Sequence, residues 1–348
     1  MKLLVFNYSM DESDSIFSHQ IDLIKYFAAN YESVTVVTHS LSNRSVNSIP
    51  ENVKTILLKW KPNHNVLNIY LLYKILFSLR KEKFSCAFFH MTEVDACLSL
   101  PLFKLWGWPT VLWYAHKNLS IWLKIFHNFG NAVITSTPGS CPLSSKKIFP
   151  IGQGIDLEMF AFTPRSTLGR NKFLYMGRLD SSKNVHKIIQ SLIKLKNEND
   201  KVTFDVYGRP SNGPYKEYLD SLVKFANNSF NTNWISLHSP VSRKEIPQLF
   251  EKYDCLLHSF EGSLDKVLVE ASSCGIPVVT INSEFRLSFM GSEKKDFQAN
   301  LDEFCRADFK QIIEVLKANR KFVEENHSFM KWAFQIDEIL KKVSIKVI

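Results

Sequence analysis

The sequence contains few of the residues that mark fibrous, disordered or disulfide-stapled proteins. Its 348 residues include 12 Gly, 13 Pro and 6 Cys, and the cysteines have no paired spacing that would indicate a zinc site. Hydrophobic residues make up 45% of the chain and charged residues 22%, a balance that permits a buried core. We therefore predict a globular protein with reduced thiols, as is typical of the cytosol.

Long apolar runs are also missing. The start, Met1–Asn7, is too short an apolar run for a signal peptide, and acidic residues follow it closely. The most apolar window, Ala96–Ala115, is interrupted by lysine, proline and glycine, so it divides into a helix and a strand. The sequence thus predicts no membrane span and a cytoplasmic location.

Acidic residues are scarce in the first half of the chain. The whole sequence has 43 Lys and Arg against 34 Asp and Glu, an excess too dilute to predict a nucleic-acid partner. Between Val34 and Ile155, however, thirteen basic residues accompany four acidic ones. Together with the basic residues that follow an apolar helix at Asn68–Leu79, this charge suggests peripheral contact with an anionic membrane. Core packing is the interpretation we favour for that helix, because its apolar residues surround it.

Apolar segments of strand length alternate with segments of helical spacing. Runs such as Leu3–Asn7 and Thr110–Tyr114 are followed by helical patterns, and the alternation restarts at Phe173–Gly177 after the polar stretch Thr163–Asn171. Continuously apolar strands between helices predict parallel sheets covered on both faces. The predicted fold class is therefore α/β, with doubly wound sheets.

The length predicts two domains, because 348 residues exceed the roughly 150 of a typical domain. We predict an N-terminal Rossmann-like domain over residues 1–160 and a second over 161–325. The remaining residues, 326–348, are predicted to form a helix that could pack back on the first domain. Doubly wound sheets bind ligands beyond the carboxyl ends of their strands, so we expect the site in a cleft between two facing domains.

A basic motif follows the first strand of the second predicted domain. Gly177 ends the strand, and Arg178 and Lys183 precede the next helix. The glycine lets a ligand approach the backbone, while the guanidinium and the ammonium could converge on a diphosphate. A surface loop with solvated charges is the alternative.

A second motif occupies Ser259–Val279. It combines a strand end, a Gly/Ser loop, a helix that begins near Asp265 and a Gly-Ile-Pro stop. Amides at the helix start could hold phosphate oxygens, and Glu270 on the first turns could accept hydrogen bonds from sugar hydroxyls. The alternative makes Asp265 a helix cap and Glu270 a solvated side chain.

The combination of these motifs resembles the retaining glycosyltransferases of family 4, which have the GT-B fold. The resemblance covers most of the chain and is strongest from Ile151 to Ile281. It implies a nucleotide-diphosphate sugar as donor, held chiefly by the second domain. It rests on residues that occur in the family's order, namely Arg178, Lys183, the segment Glu261–Val279, and Gly154-Ile155-Asp156 with Phe160.

The resemblance implies roles for individual residues. Arg178 and Lys183 would bind the donor diphosphate, beside the strand-end Gly177. Gly208, after the next strand, lies in the loop expected beside the nucleotide. Glu270 matches the second glutamate of the family's paired motif, which contacts the ribose.

The first glutamate of that paired motif departs from the family pattern. Its register falls on Gly262, while Glu261 lies one residue away. Either the loop shifts to bring Glu261 into place, or three neighbouring residues contact the sugar instead, namely Ser263, Asp265 and Lys266.

The first domain offers weaker candidates. His116 follows a strand, and the resemblance makes it a hydrogen-bond partner of the donor sugar or diphosphate; a structural histidine is the alternative. His90 ends another strand and is interpreted as an acceptor-side or core residue. The acidic loop with Asp11, Glu12 and Asp14 could contact acceptor hydroxyls, although a solvated loop is the interpretation we favour.

The predicted function is a retaining glycosyltransferase that moves a sugar to a carbohydrate or lipid-linked acceptor in glycoconjugate synthesis. The sequence has no Asp-x-Asp pair or His/Cys cluster, so we expect neither a catalytic metal nor a cofactor beyond the donor substrate. A nucleotide-sugar epimerase or phosphorylase on the same fold is one alternative. A basic module that binds polyanions or membranes is the other.

Overall fold

The computed structural model describes residues 1–12, 17, 19–42, 49–61, 64–209 and 213–345. The chain forms two compact units: residues 1–152 with the segment from Met330 onward, and Gln153–Phe329. The predicted boundary after residue 160 therefore lies inside the second unit. Ile155 and Phe160 account for the difference, because both are fully buried in an apolar cluster of that unit.

The described part of the first unit has a sheet of seven parallel strands in the order β3-β2-β1-β4-β5-β6-β7. The order reverses between β1 and β4, which makes this gap the switch point of the sheet. The strands are β1 (Lys2–Met10), β2 (Ser33–Leu41), β3 (Val53–Leu57), β4 (Cys86–His90), β5 (Thr110–Trp113), β6 (Ala132–Thr135) and β7 (Ile148–Pro150).

Helices cover both faces of this sheet, because alternate residues of each strand point to opposite faces. Phe89 packs in one cluster with Leu76, Phe103 and Phe126 from three helices, whereas Phe88 meets Phe27 on the other face. The helices of this unit are α1 (His19–Asn30), α2 (Asn65–Leu79), α3 (Glu93–Trp106), α4 (Ile121–Phe129) and, at the end of the chain, α12 (Phe329–Ile345).

The second unit has five parallel strands in the order β10-β9-β8-β11-β12 within its described residues, with a switch point between β8 and β11. Its strands are β8 (Lys172–Met176), β9 (Thr203–Tyr207), β10 (Ile235–His238), β11 (Cys255–His258) and β12 (Val278–Thr280). Its helices are α5 (Val185–Glu198), α6 (Pro214–Ser229), α7 (Ile246–Glu251), α8 (Lys266–Cys274), α9 (Ser283–Ser288), α10 (Phe297–Arg306) and α11 (Phe309–Asn326).

The structure confirms the predicted α/β class with parallel sheets. The window Ala96–Ala115 divides as expected, because α3 ends at Trp106, is followed by Gly107 in the left-handed conformation, and β5 begins at Thr110. Among the described residues, no helix combines the length and apolarity needed to cross a bilayer.

Candidate functional site

The two motifs of the second unit, the basic one at Gly177–Lys183 and the one at Ser259–Val279, lie at the switch point of its sheet. β8 and β11 are neighbours, and the loops after their carboxyl ends touch. The Asn184 side-chain amide donates to the Ser259 carbonyl at 3.2 Å, and the Ser259 hydroxyl lies 2.9 Å from the Lys183 and Asn184 carbonyl oxygens. Ligands of doubly wound sheets bind at such points, so this edge is the candidate site.

Lys183 is held inside this edge by two contacts. It ends a single 3-10 turn, Ser181–Lys183, and only 7% of its side chain is exposed. Its Nζ lies 2.5 Å from Asp265 Oδ2 and 3.7 Å from the centroid of the Phe260 ring. The two motifs therefore meet through an ion pair between residues 82 positions apart.

Asp265 is the N-cap residue of α8, and a buried histidine also contacts its carboxylate. His258 Nε2 lies 3.1 Å from the same Oδ2, and His258 Nδ1 lies 3.0 Å from the Thr280 hydroxyl. Burial opposes ionisation of Asp265, but the charge of Lys183 and the hydrogen bond to His258 outweigh it and hold the pKa of Asp265 below its usual range. Burial lowers the pKa of His258, so a neutral ring faces an ionised carboxylate.

The loop before α8 is crowded at position 262, where the resemblance to family 4 leads us to expect a glutamate. A Cβ on Gly262 would lie 1.8 Å from the Phe260 ring, the ring that covers the Lys183 ammonium. Asn282 fixes this arrangement, since its side-chain amide donates to the carbonyls of three loop residues at 3.0 to 3.2 Å. Glu261 is exposed. Of the three neighbours predicted as substitutes, Ser263 is buried and Asp265 and Lys266 are partly exposed.

Glu270 is not the solvated side chain of the alternative interpretation. It is 6% exposed, and its Oε1 lies 3.5 Å from Arg243 Nη2. Burial raises the pKa of Glu270, while the charges of Arg243 and Lys266 act against that rise. Arg243 had no signal in the sequence, because its 3-10 turn lies outside both motifs.

Two glycines at strand ends beside Arg178 would allow a ligand to approach the backbone closely. Gly177 has a φ of 154°, and a Cβ there would lie 2.9 Å from the Tyr175 hydroxyl oxygen. A Cβ on Gly208 would lie 2.1 Å from the Gly177 carbonyl oxygen. The Arg178 side chain is 66% exposed, with its Nε 3.6 Å from Asp180 Oδ2. It can therefore turn toward a bound anion.

A cavity of about 220 Å³ opens beside these glycines, beyond the ends of β9 and β10. Gly208, His238 and Ser239 line it, and Tyr207 stacks on the His238 ring with centroids 4.4 Å apart. Gly208 lies in the loop that the sequence predicts beside the nucleotide.

The first unit contains the remaining candidates. His116 is exposed after β5, and its ring meets Tyr114 edge-on at 5.4 Å. His90 is 2% exposed and packs between Trp113 and Trp332, consistent with its core interpretation. In the acidic loop, Glu12 pairs with Lys25 at 3.1 Å, and Asp14 lies outside the described residues.

A polar pair in the first unit had no sequence signal. His39 Nε2, near the carboxyl end of β2, lies 2.8 Å from Asp95 Oδ2 on the first turn of α3. Only the topology brings these residues together. Across the described residues, no three His, Cys, Asp or Glu side chains are grouped closely enough to hold a metal ion.

Comparison with known proteins connects this geometry to a family. Residues 160–300 match the family described as glycosyl transferases group 1. No curated protein matches the sequence. Solved structures are similar over almost the whole chain, although their sequence identities are low.

Three of these structures illustrate the likeness. Alr3699/HepE from Anabaena, in complex with UDP and glucose, is 17% identical with a TM-score of 0.76, over 98% of this chain and 100% of that one. Sucrose-phosphate synthase from Thermosynechococcus elongatus is 13% identical with a TM-score of 0.77, over 99% of each chain. A glycosyltransferase from Rickettsia africae is 13% identical with a TM-score of 0.72, over 98% of each chain.

At these identities the structures establish the fold, and the family match falls within the second unit. All candidate donor-site residues except His116 lie within the matched segment. The chain thus has the GT-B fold, and its residues 160–300 match the glycosyl transferases group 1 family.

Proposed function

We propose that this protein is a retaining glycosyltransferase that moves a hexosyl group from a nucleoside diphosphate to a hydroxyl of a carbohydrate or lipid-linked acceptor. The proposal includes a cytoplasmic location, peripheral contact with anionic membrane and a role in surface polysaccharide or glycoconjugate synthesis. The complex of HepE with UDP and glucose supports a uridine nucleotide as the first donor to test.

One observation carries the proposal. Three groups lie at the switch point between β8 and β11, namely the ammonium of Lys183, the start of α8 and the exposed guanidinium of Arg178. Two cations and the positive end of a helix dipole are complementary to a diphosphate. The adjoining cavity at Gly208 has the position expected for the nucleoside.

The proposed reaction needs electrostatic stabilisation rather than a protein nucleophile. The bond between the anomeric carbon and the diphosphate oxygen breaks, and the acceptor oxygen forms its bond to that carbon on the same face. The departing diphosphate takes the acceptor proton. Arg178 and Lys183 would stabilise its developing charge, with His116 as a hydrogen-bond partner, and no metal or further cofactor is required.

We assign the remaining donor contacts to the residues around α8. Asp265 is ionised and 32% exposed, so its second oxygen can accept a hydrogen bond from a sugar hydroxyl. In this proposal, Asp265 takes the sugar-binding role of the glutamate that the resemblance leads us to expect at position 262. Glu270, oriented by Arg243, would accept hydrogen bonds from the ribose.

Thermal unfolding with a panel of nucleotides and nucleotide sugars tests the donor class. A ligand at one hundred times its Kd should stabilise the protein by about 2.7 kcal/mol. We expect one nucleoside diphosphate and its sugar derivatives to stabilise the wild-type protein. The same ligands should stabilise Arg178→Ala less. They should stabilise Lys187→Ala as much as wild type, because Lys187 is an exposed residue of α5. Stabilisation by none of them, or equal stabilisation of both variants, contradicts the proposal. Product analysis with and without acceptor then separates transfer from epimerisation or phosphorolysis.

A further inference from the structure

Exposed apolar and basic side chains form a continuous band on the first unit, where α2, α3 and α4 end. Leu105 is 78% exposed, Phe129 56% and Phe77 48%. The Phe77 ring meets Trp106 at 5.8 Å, and Lys104 Nζ lies 4.7 Å from the Phe129 centroid. We call these five residues the α2–α4 band. It lies toward the amino ends of the parallel strands, since the crossover helices run opposite to them.

The band continues along one side of α2. Val66, Ile69 and Tyr70 are exposed at helical spacing on the way to Phe77. The apolar residues of α2 thus form two faces. One packs into the core through Leu72, Leu76 and Leu79, and the other faces solvent. Single exposed apolar side chains are common on soluble proteins, whereas a connected surface of this kind is typical of an interaction site.

The charges around the band have a single sign. Between Asp95 and Asp156 the sequence contains no Asp or Glu. Glu82, close to the end of α2, is paired with Lys2 at 3.4 Å. The exposed charges near the band are cationic, namely Arg80, Lys81, Lys83, Lys104, Lys124, Lys146 and Lys147.

Two of these lysines, Lys104 and Lys147, line the same cavity in this surface. An open cavity of about 400 Å³ lies at the start of β5, and Lys104, Phe129 and Lys147 are among its lining residues. Lys147 Nζ donates to the His127 and Gly130 carbonyls at 3.2 Å each, which holds the ammonium at the cavity wall. Two ammonium groups beside exposed apolar side chains are complementary to a phosphate group attached to acyl chains.

We propose that the α2–α4 band docks on an anionic phospholipid surface. Leu105, Phe77 and Phe129 enter the interface between headgroups and acyl chains, and Lys104 and Lys147 bind headgroup phosphate. The alternation of apolar and basic side chains is that of helices that lie on a bilayer without crossing it. This surface would supply the peripheral membrane contact of the proposed function, and on that point the inference rests on it. Because the band and the nucleotide site lie on different units, docking can be tested separately from sugar transfer.

Vesicle flotation of the full chain, without nucleotide, tests this docking. Wild type should float with vesicles of equal parts phosphatidylcholine and phosphatidylglycerol, and should remain unbound with phosphatidylcholine alone. Lys104→Glu should weaken the apparent affinity about fivefold or more, because it removes one cation and adds an anion. Leu105→Ser should weaken it several-fold at unchanged salt dependence.

Matched variants on the second unit control for changes in general surface charge and apolarity. Leu287→Ser, at 81% exposure, matches Leu105→Ser, and Lys194→Glu on α5 matches Lys104→Glu. Both controls should float like wild type. Three results would overturn the proposal. The protein could bind both vesicle types equally, or the control variants could lose as much binding as the band variants. The protein could also form a dimer through the band, which Leu105→Ser would then disrupt.

Discussion

At the scale of single residues, the candidate site depends on which cation is fixed and which can move. The ammonium of Lys183 is buried between Asp265 and Phe260, whereas the Arg178 side chain is 66% exposed. A fixed cation is preorganised for an anion, and an exposed one can follow it. The two residues should therefore respond differently to truncation.

We expect Arg178→Ala to lose activity without losing stability. Removing one donor to the departing diphosphate should cost on the order of 2 to 4 kcal/mol of transition-state stabilisation. The unfolding free energy should change by no more than about 0.5 kcal/mol, since the side chain is exposed. Steady-state kinetics with a donor identified by thermal shift, together with urea unfolding, measure both effects.

Lys183→Ala provides the contrast for that variant. It should lose both activity and stability, because it leaves the Asp265 carboxylate without its cation beside buried His258. Near-normal turnover in both variants would reject the assignment of these residues to the diphosphate.

At the scale of elements, helix ends fix the geometry of the second unit. Asn282 caps α9 through the Phe285 amide at 3.0 Å, and the same side chain holds the loop before α8. At the end of α11, His327 Nδ1 accepts a hydrogen bond from the Gln153 amide at 2.9 Å. Each cap thus joins a helix to a segment that is distant along the chain.

The end of α11 should make stability depend on pH. Burial among Phe289 and Phe322 lowers the pKa of His327 to about 4, from 6.5 in an unfolded chain. The neutral ring stabilises the fold fully above pH 6.5. Stability is lost as pH falls toward 4, because the unfolded chain takes up the proton first. This loss should approach about 3 kcal/mol.

Urea unfolding across that pH range checks the expectation. His327→Gln should be less stable than wild type near neutral pH, with a shallower dependence between pH 6.5 and 4. The buried His258 also makes stability depend on pH, and its contribution should be the same in wild type and in the variant. An identical slope in wild type and variant would show that His327 is not the titrating group.

At the scale of the whole molecule, the two proposed surfaces lie on different units. The nucleotide site uses loops of the second unit, and the α2–α4 band belongs to the first. Hydrogen exchange should therefore separate them. A nucleoside diphosphate should protect amides in 177–184 and 259–270, while anionic vesicles should protect the ends of α2, α3 and α4.

Lys104→Glu serves as the control in this measurement. It should remove the protection by vesicles and leave the protection by nucleotide unchanged. Protection of the same segments by both ligands would contradict the separation of the two surfaces.

The sequence by itself determined the α/β class, the positions of strands such as β1, β5 and β8, and the placement of both motifs after strand ends. These features follow from local patterns, because hydrophobic periodicity and Gly/Pro stops act over a few residues. The match to the group 1 family falls on the segment that carries those motifs.

Only the tertiary structure decided which side chains meet. The Lys183–Asp265 pair joins residues 82 positions apart, and Arg243 reaches Glu270 from a separate turn. The Phe260 ring fills the space beside Gly262, so a side chain at position 262 would have to displace that ring. The solvent-facing side of α2 was likewise invisible in its composition, because core and exposed apolar residues look alike until packing separates them.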